Sequence, residues 1–206
     1  MARDTQSIVK MSRREGYALH PKAHKALVKR TALPGQHTGR FSGRAKNSQY
    51  ALQLREKQKV KRLYGLLERQ FSNLMKEASR QHGQAGAVLL QLLERRLDNA
   101  VYRAGFAPSR RAARQLVTHG HFILNGRRVD IPSIRLRATD AVSVRPASKQ
   151  TVYFKQLDDT SPAPQAIPAW LKVDRKKVGF SVIGIPSRDE AEPDINEQLI
   201  VEYYSR

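Results

Sequence analysis

The side chains best able to do chemistry in this sequence are arginines, and several sit close together: Arg110, Arg111 and Arg114, then Arg127 and Arg128. A guanidinium is a planar fork of donors that matches two phosphate oxygens at once and also stacks on a base. Clustered on a rigid support, such groups suit a folded nucleic acid. Spacing alone leaves open a plain solvated surface of unrelated arginines, since arginine-rich helix faces are common. The charge of the whole chain argues for the first reading.

The elements that must position these arginines can be read from the flanking residues. Leu89, Leu90, Leu93, Leu97, Ala100, Val101 and Ala104 recur every three or four positions and define one face of a helix from Ala87 to Arg103. Gly105 can adopt the left-handed conformation that ends a helix, with Phe106 folding back on the last turn. Pro108-Ser109 supplies a turn and an N-cap hydroxyl for a second helix, Arg110 to about Thr118. That helix buries Ala112, Ala113, Leu116 and Val117, is closed by Gly120, and turns Arg110, Arg111 and Arg114 outward. Phe122-Ile123-Leu124 and Arg127-Arg128-Val129 flank Asn125-Gly126, the strongest local signal for a two-residue hairpin. Pro132 ends that run, Thr139-Asp140 marks a turn, and Val142 to Arg145 reads as a further strand. Two helices against a small antiparallel sheet follow.

The chain has 206 residues, enough for one or two domains with a real core. Its formal net charge of +20 points to a polyanionic partner, nucleic acid first and an anionic membrane surface second. No apolar run approaches the roughly 20 residues that span a bilayer. The amino terminus lacks a signal-peptide pattern, so a cytoplasmic location is expected. The absence of cysteine excludes disulfides, zinc-thiolate sites and thiol catalysis. Charge is unevenly spread. Residues 1–62 hold sixteen Lys/Arg and three acids, whereas residues 187–206 hold two arginines and six acids, which suits protein contact better than phosphate.

Residues 1–47 are read as a basic arm that is largely extended or mobile alone, because large apolar side chains are few. Lys22, Lys25, Lys29, Arg30, Arg40, Arg44 and Lys46 would neutralise phosphates, and residues 22–30 could form a short helix. From Tyr50 to Gln81 a single long amphipathic helix is predicted, with Val60, Leu63, Tyr64, Leu67, Phe71, Leu74, Met75 and Ala78 as its stripe. Lys57, Lys59, Lys61, Arg62 and Arg69 lie opposite, as either a solvated face or an RNA-facing one, and their density near the start of the helix favours RNA. Beyond Pro146, residues 151–154 and 179–185 have strand character, residues 158–168 form a polar loop over Trp170 and Leu171, and residues 194–204 form a closing helix. It should dock on the first domain.

Taken together, the motifs resemble the bacterial small-subunit ribosomal S-four family over nearly the whole chain. Leu54 to Val60, Leu90 to Asn99, Ala113 to Val117, His119-Gly120-His121, Asn125 to Val129 and Asp194 to Glu202 carry the resemblance, with Arg13 to Gly16 and Pro34 to His37 also fitting. It implies an α+β chain: a helical domain (residues 48–94 with 187–206) interrupted by an S-four-type RNA-binding module (residues 95–186). It implies a cytoplasmic ribosomal protein that binds the 5′ domain of 16S rRNA, acts early in assembly, lies beside the mRNA entry channel and touches the S-five ribosomal protein. It bears on translational accuracy, and some members repress their own mRNA. Mapped onto this chain, the RNA-binding set is Arg13, Arg14, Lys22, Lys25, Arg30, Arg40, Arg44, Lys46, Arg55, Lys57, Lys59, Arg62, Arg69, Arg96, Asn99, Arg103, Ser109, Arg110, Arg111, Arg114, Gln115, His119, His121, Asn125, Arg127 and Arg128.

Many members carry an amino-terminal zinc-binding cysteine set, and here Val9 and Ser12 stand where its first pair would lie, so no metal and no cofactor is expected. His20, His24 and His37 are read as hydrogen-bonding RNA or backbone. A similar module is attached to pseudouridine synthases, rRNA methyltransferases and some tRNA synthetases. No catalytic domain remains in this chain for such a role, and no small-molecule substrate or membrane partner is expected. A free RNA-binding regulator is the other alternative.

Overall fold

The computed structural model of the chain describes residues 4–30, 32–35, 48–164 and 166–205. They fall into two units, residues 1–89 with 194–206, and residues 90–193. In chain order the helices are α1 (Ile8–Glu15), α2 (Pro21–Lys29), α3 (Gln49–Leu63), α4 (Glu68–Ala78), α5 (Ala85–Glu94), α6 (Leu97–Arg103), α7 (Arg110–Thr118), three single turns α8 (Pro146–Lys149), α9 (Val152–Lys155) and α10 (Leu157–Thr160), and α11 (Glu197–Tyr204). The strands are β1 (Phe122–Leu124), β2 (Arg127–Val129), β3 (Ala141–Val144), β4 (Leu171–Asp174) and β5 (Gly179–Val182). The chain is α+β.

In the first unit, the long helix predicted from Tyr50 to Gln81 is two helices. Gly65, at φ 66°, leaves the helical path. Its N–H bonds Arg62 O at 3.2 Å and that of Leu66 bonds Lys61 O at 2.9 Å, the double bond of a glycine C-cap. Gln70 Oε1 then accepts the Leu67 N–H at 3.4 Å as α4 begins. The apolar stripe survives the break: Val60, Leu63, Tyr64, Phe71, Leu74, Met75 and Ala78 are all buried, and Leu67 partly so.

Residues 4–30 correct the expectation of an extended arm in part: α1 is an added helix, whereas the short helix expected over residues 22–30 is present as α2. Helices α1 and α2 contact one another, α1 also contacts α3, and Met11, Ser12, Leu19 and Ala23 are buried. Four small or apolar side chains are enough to order them because Arg55 and Arg62 supply ion pairs as well. Helix α11 lies on α3, its Ile200 fully buried. Gln53 Nε2 donates to Glu202 Oε2 at 2.9 Å, and the Asn196 N–H donates to Glu56 Oε1 at 2.9 Å.

The second unit is an antiparallel sheet of order β2-β1-β3-β5-β4 covered by helices. Asn125 and Gly126, at φ 48° and 82°, form the left-handed pair that a two-residue hairpin between β1 and β2 requires, placing Leu124 opposite Arg127. The predicted helix from Ala87 to Arg103 is again two. Arg96 is extended because the segment 132–136 takes its neighbours' backbone bonds: Leu97 N–H to Ile134 O at 2.8 Å, and Leu136 N–H to Arg95 O at 2.8 Å. The apolar face from Leu89 to Ala104 is buried throughout, as predicted. Gly105 ends α6 at φ 76°, and the Phe106 N–H reaches back to Val101 O at 3.2 Å.

Residues 152–155 are helical, not a strand. Phe154 and Leu157 are buried at a helical spacing of three, and Phe154 meets the Phe122 ring edge-on. Burying both large side chains overrides the β-propensity of Val152-Tyr153-Phe154. Trp170 and Leu171 join the same core.

Candidate nucleic-acid interface

Helix α7 is built as its residues require: the Ser109 Oγ accepts the Ala112 N–H at 3.3 Å, and Ala113 and Val117 are buried. On its outer face Arg111, Gln115, Thr118 and His119 are exposed at spacings of three and four, a single polar ridge. Beyond its end the exposed Arg128 of β2 lays its guanidinium over Gly120. A Cβ there would lie 2.7 Å from Arg128 Nε. Arg127 and Asn125 are exposed at the hairpin, but Asn125 is tied down, donating to Asp140 Oδ1 and accepting from the Ala141 N–H, both at 2.8 Å. Its first role is to fix the hairpin against β3.

Arg110 and Arg114 do not point outward, contrary to the helical-face reading. Arg110 stacks on Tyr102, 4.6 Å from the ring centroid, and donates to Asn99 Oδ1 at 2.8 Å and Glu192 Oε1 at 2.7 Å. Arg114 Nη1 lies 3.6 Å from Asp98 Oδ2, and Asp98 is also gripped by both forks of Arg96, at 3.1 and 3.0 Å. Glu94, wholly buried, accepts from Asn99 at 2.7 Å and from both forks of Arg103 at 3.0 and 2.9 Å. Arg103 also reaches Glu192 at 3.4 Å. Within the protein, carboxylates therefore engage Arg96, Arg103, Arg110 and Arg114, and Asn99 and Ser109 are buried beside them. Apolar periodicity could not show this. The available signal was Glu94 and Asp98, two acids four positions apart set among the leucines of a core-facing stretch. Burial is the largest influence on Arg114 and lowers its affinity for the proton, Asp98 opposing and Arg96 adding to it; a guanidinium remains charged regardless.

In the first unit the basic face opposite the stripe is similarly turned to use within the protein. Lys57 is buried, donates to Glu68 Oε1 and lies 4.6 Å from the Tyr203 ring centroid. Lys59 holds Glu56 at 2.8 Å and Asp194 O at 2.6 Å, and Lys61 holds Glu68 at 3.0 Å. Arg55 and Arg62 both bind Glu15, whose carboxylate is completely buried. Burial pushes the Glu15 pKa up, against the pull of Arg55, Arg62 and Arg14. Arg13 bonds Ala32 O and Leu33 O. Arg14, Lys22, Lys25, Arg30 and Arg69 are exposed, while Arg40, Arg44 and Lys46 lie outside the described residues. His37 does too. His20 caps α2, its Nδ1 accepting the Lys22 N–H at 3.1 Å. Among the described residues no cluster of acids and histidines is placed to hold a metal ion.

The structure adds cations that sequence reading left out. Arg135 and Arg137 are exposed, and Arg95, whose Nε donates to Leu136 O at 2.8 Å, is close enough to both that burial and then their charges lower its affinity for the proton, Asp140 opposing. The alternation Arg135, Arg137 was the signal. Arg145, after β3, bonds its N–H to His121 O at 2.8 Å and buries its Nε atom without a partner.

A rigid helix-and-hairpin platform with guanidiniums on its outer ridge defines a nucleic-acid-binding protein. Comparison with known families agrees: residues 3–94 match the ribosomal protein S4/S9 N-terminal domain and residues 95–142 match the S4 domain. Small ribosomal subunit protein uS4 of Roseiflexus castenholzii is 49% identical over 207 residues, covering all of both chains. That of Chlorobium phaeovibrioides is 50% identical over 208 residues, and uS4A of Symbiobacterium thermophilum 49% over 212, again with both chains fully covered. The chain belongs to the uS4 family of small ribosomal subunit proteins. That family is one of ribosomal proteins, not of enzymes.

Proposed function

We propose that this chain is a structural constituent of the small ribosomal subunit that binds the 5′ domain of 16S rRNA early in assembly, and that it stands beside the mRNA entry path in contact with the S-five ribosomal protein. The exposed ridge of Arg111, Gln115 and His119 running to Arg127 and Arg128 carries the reading. It offers guanidiniums on a support whose buried ion network keeps it rigid, in a chain of net charge +20. Exposed Arg14, Lys22, Lys25, Arg30 and Arg69 of the first unit supply further phosphate contacts, and the acid-rich 187–206 segment suits protein neighbours. Repression of its own mRNA would draw on the same ridge. The test is hydroxyl-radical footprinting of a 5′-domain 16S rRNA transcript with the full chain. Protection confined to one helical junction supports the reading, and uniform weak protection of any RNA of equal length contradicts it.

A further inference from the structure

Where α7 ends, four basic side chains converge and no carboxylate answers them. The His119 and His121 rings are 5.9 Å apart between centroids. Arg128 lies over the glycine between them, and Arg145, whose backbone N–H bonds His121 O, brings its side-chain charge close enough to act on the His121 ring. The His121 ring is held firmly: its Nδ1 is 3.0 Å from the Oγ of buried Ser148, and Phe154 meets it edge-on at 5.8 Å. Ser148 therefore occupies one ring nitrogen and leaves Nε2 to carry any exchange with a ligand. Every other charged ion network described above contains acids. This one contains none among the described residues, and the Nε of Arg145 is buried with no acceptor.

Resting on the RNA-binding reading, we propose that His119, His121, Arg128 and Arg145 form a site for one RNA phosphodiester, and that filling it draws a proton onto the His121 imidazole. In the free protein, burial is the first cause holding the His121 pKa below its usual value of 6.5, followed by repulsion from His119, Arg145 and Arg128, which are the charged groups around it. A phosphate placed among them reverses the repulsion and favours the charged ring. The bound pKa then exceeds the free one, so binding takes up protons and weakens as pH rises through the interval between the two. Gly120 sits at φ 69°, the left-handed conformation glycine tolerates, and its lack of a side chain leaves room for the Arg128 guanidinium to lie over it.

The experiment measures the affinity of the full chain for the 5′-domain transcript from pH 5.5 to 8 at fixed salt, with His119→Gln, His121→Gln and the double variant alongside. A thermal melt confirms folding of each. The expected result is binding about tenfold weaker at pH 8 than at pH 6 for the unchanged protein, a shallower dependence in His119→Gln, where one repelling neighbour is gone, and the shallowest wherever His121 is replaced. Equal pH dependence in all four proteins, which would place the titration in the RNA, overturns the proposal while leaving the RNA-binding reading in place. Should a variant fail to fold, NMR titration of the imidazoles in the unchanged protein decides: a His121 pKa that does not rise on adding RNA overturns it. Absence of specific binding at every pH overturns both.

Discussion

Two groups of arginines that look alike in sequence should fail in different ways when removed. Arg111, Arg127 and Arg128 are exposed, whereas Arg110 and Arg114 close an internal network on Asn99, Glu192 and Asp98. If each exposed guanidinium meets one phosphate, replacing all three with alanine lowers the log–log salt slope by roughly 2–3 and weakens binding about 100-fold near 0.15 M salt. The melting temperature should stay within about 2 °C, since exposed substitutions cost little. Arg110→Ala does the reverse. It takes the nearer of two guanidiniums from Glu192, leaving Arg103 at 3.4 Å, and removes the donor to Asn99 Oδ1; with the guanidinium only 12% exposed the loss should reach about 2 kcal/mol. For a unit of this size that is a fall of roughly 10 °C. Filter binding across 50–300 mM salt, paired with calorimetry, reads both. A triple variant with unchanged slope, or an Arg110→Ala protein with full stability, would refute the division.

Three further outcomes follow from the same geometry. Gly105→Ala should destabilise the second unit by about 3 kcal/mol in urea titration, because the residue sits at φ 76° and its new Cβ would lie 2.4 Å from Pro164 Cδ. Deleting residues 1–30 should lower the stability of the first unit by about 3 kcal/mol, since Arg55 and Arg62 lose the buried Glu15 and α3 loses the apolar side of α1; an unchanged chemical-denaturation curve would return these residues to the status of a loose arm. At Glu68, burial raises the pKa, but hydrogen bonds and charge from Lys57 and Lys61 outweigh it and the net shift is downward. A lowered acid pKa stabilises the fold above its unfolded value near 4.5, and the contribution disappears as pH falls through the native value. Glu68→Gln should therefore cost up to about 1 kcal/mol at pH 7, limited by the half-exposed carboxylate, and nothing near pH 2.

The parts of this fold legible in sequence were those set by local chemistry. Ser109 at the start of α7, Gly105 and Gly120 at helix ends, and the Asn125-Gly126 hairpin were each readable because one residue type satisfies one backbone demand. Burial of the apolar stripes was readable from period alone. The breaks in those stripes were not: α3 and α4 keep a continuous apolar face across Gly65, and the break at Arg96 is made by hydrogen bonds from residues nearly forty positions later. Residues 152–155 became helix for a tertiary reason, the burial of Phe154 with Leu157. The site divides in the same way. Exposed Arg111, Arg127 and Arg128 stand where spacing put them, while Arg110, Arg114 and Lys57 are claimed by Glu192, Asp98 and Glu68. Each of those acids is far away in sequence or follows a helix break, and composition cannot show which cation an acid will choose.

Quantitative mass spectrometry of salt-washed small ribosomal subunits from the native cell tests the central claim most directly. The account predicts about one copy of this chain per subunit after the wash. A level far below that, with the protein released by salt into the free pool, would contradict a structural place in the subunit and assign the arginine ridge to a regulator's RNA target.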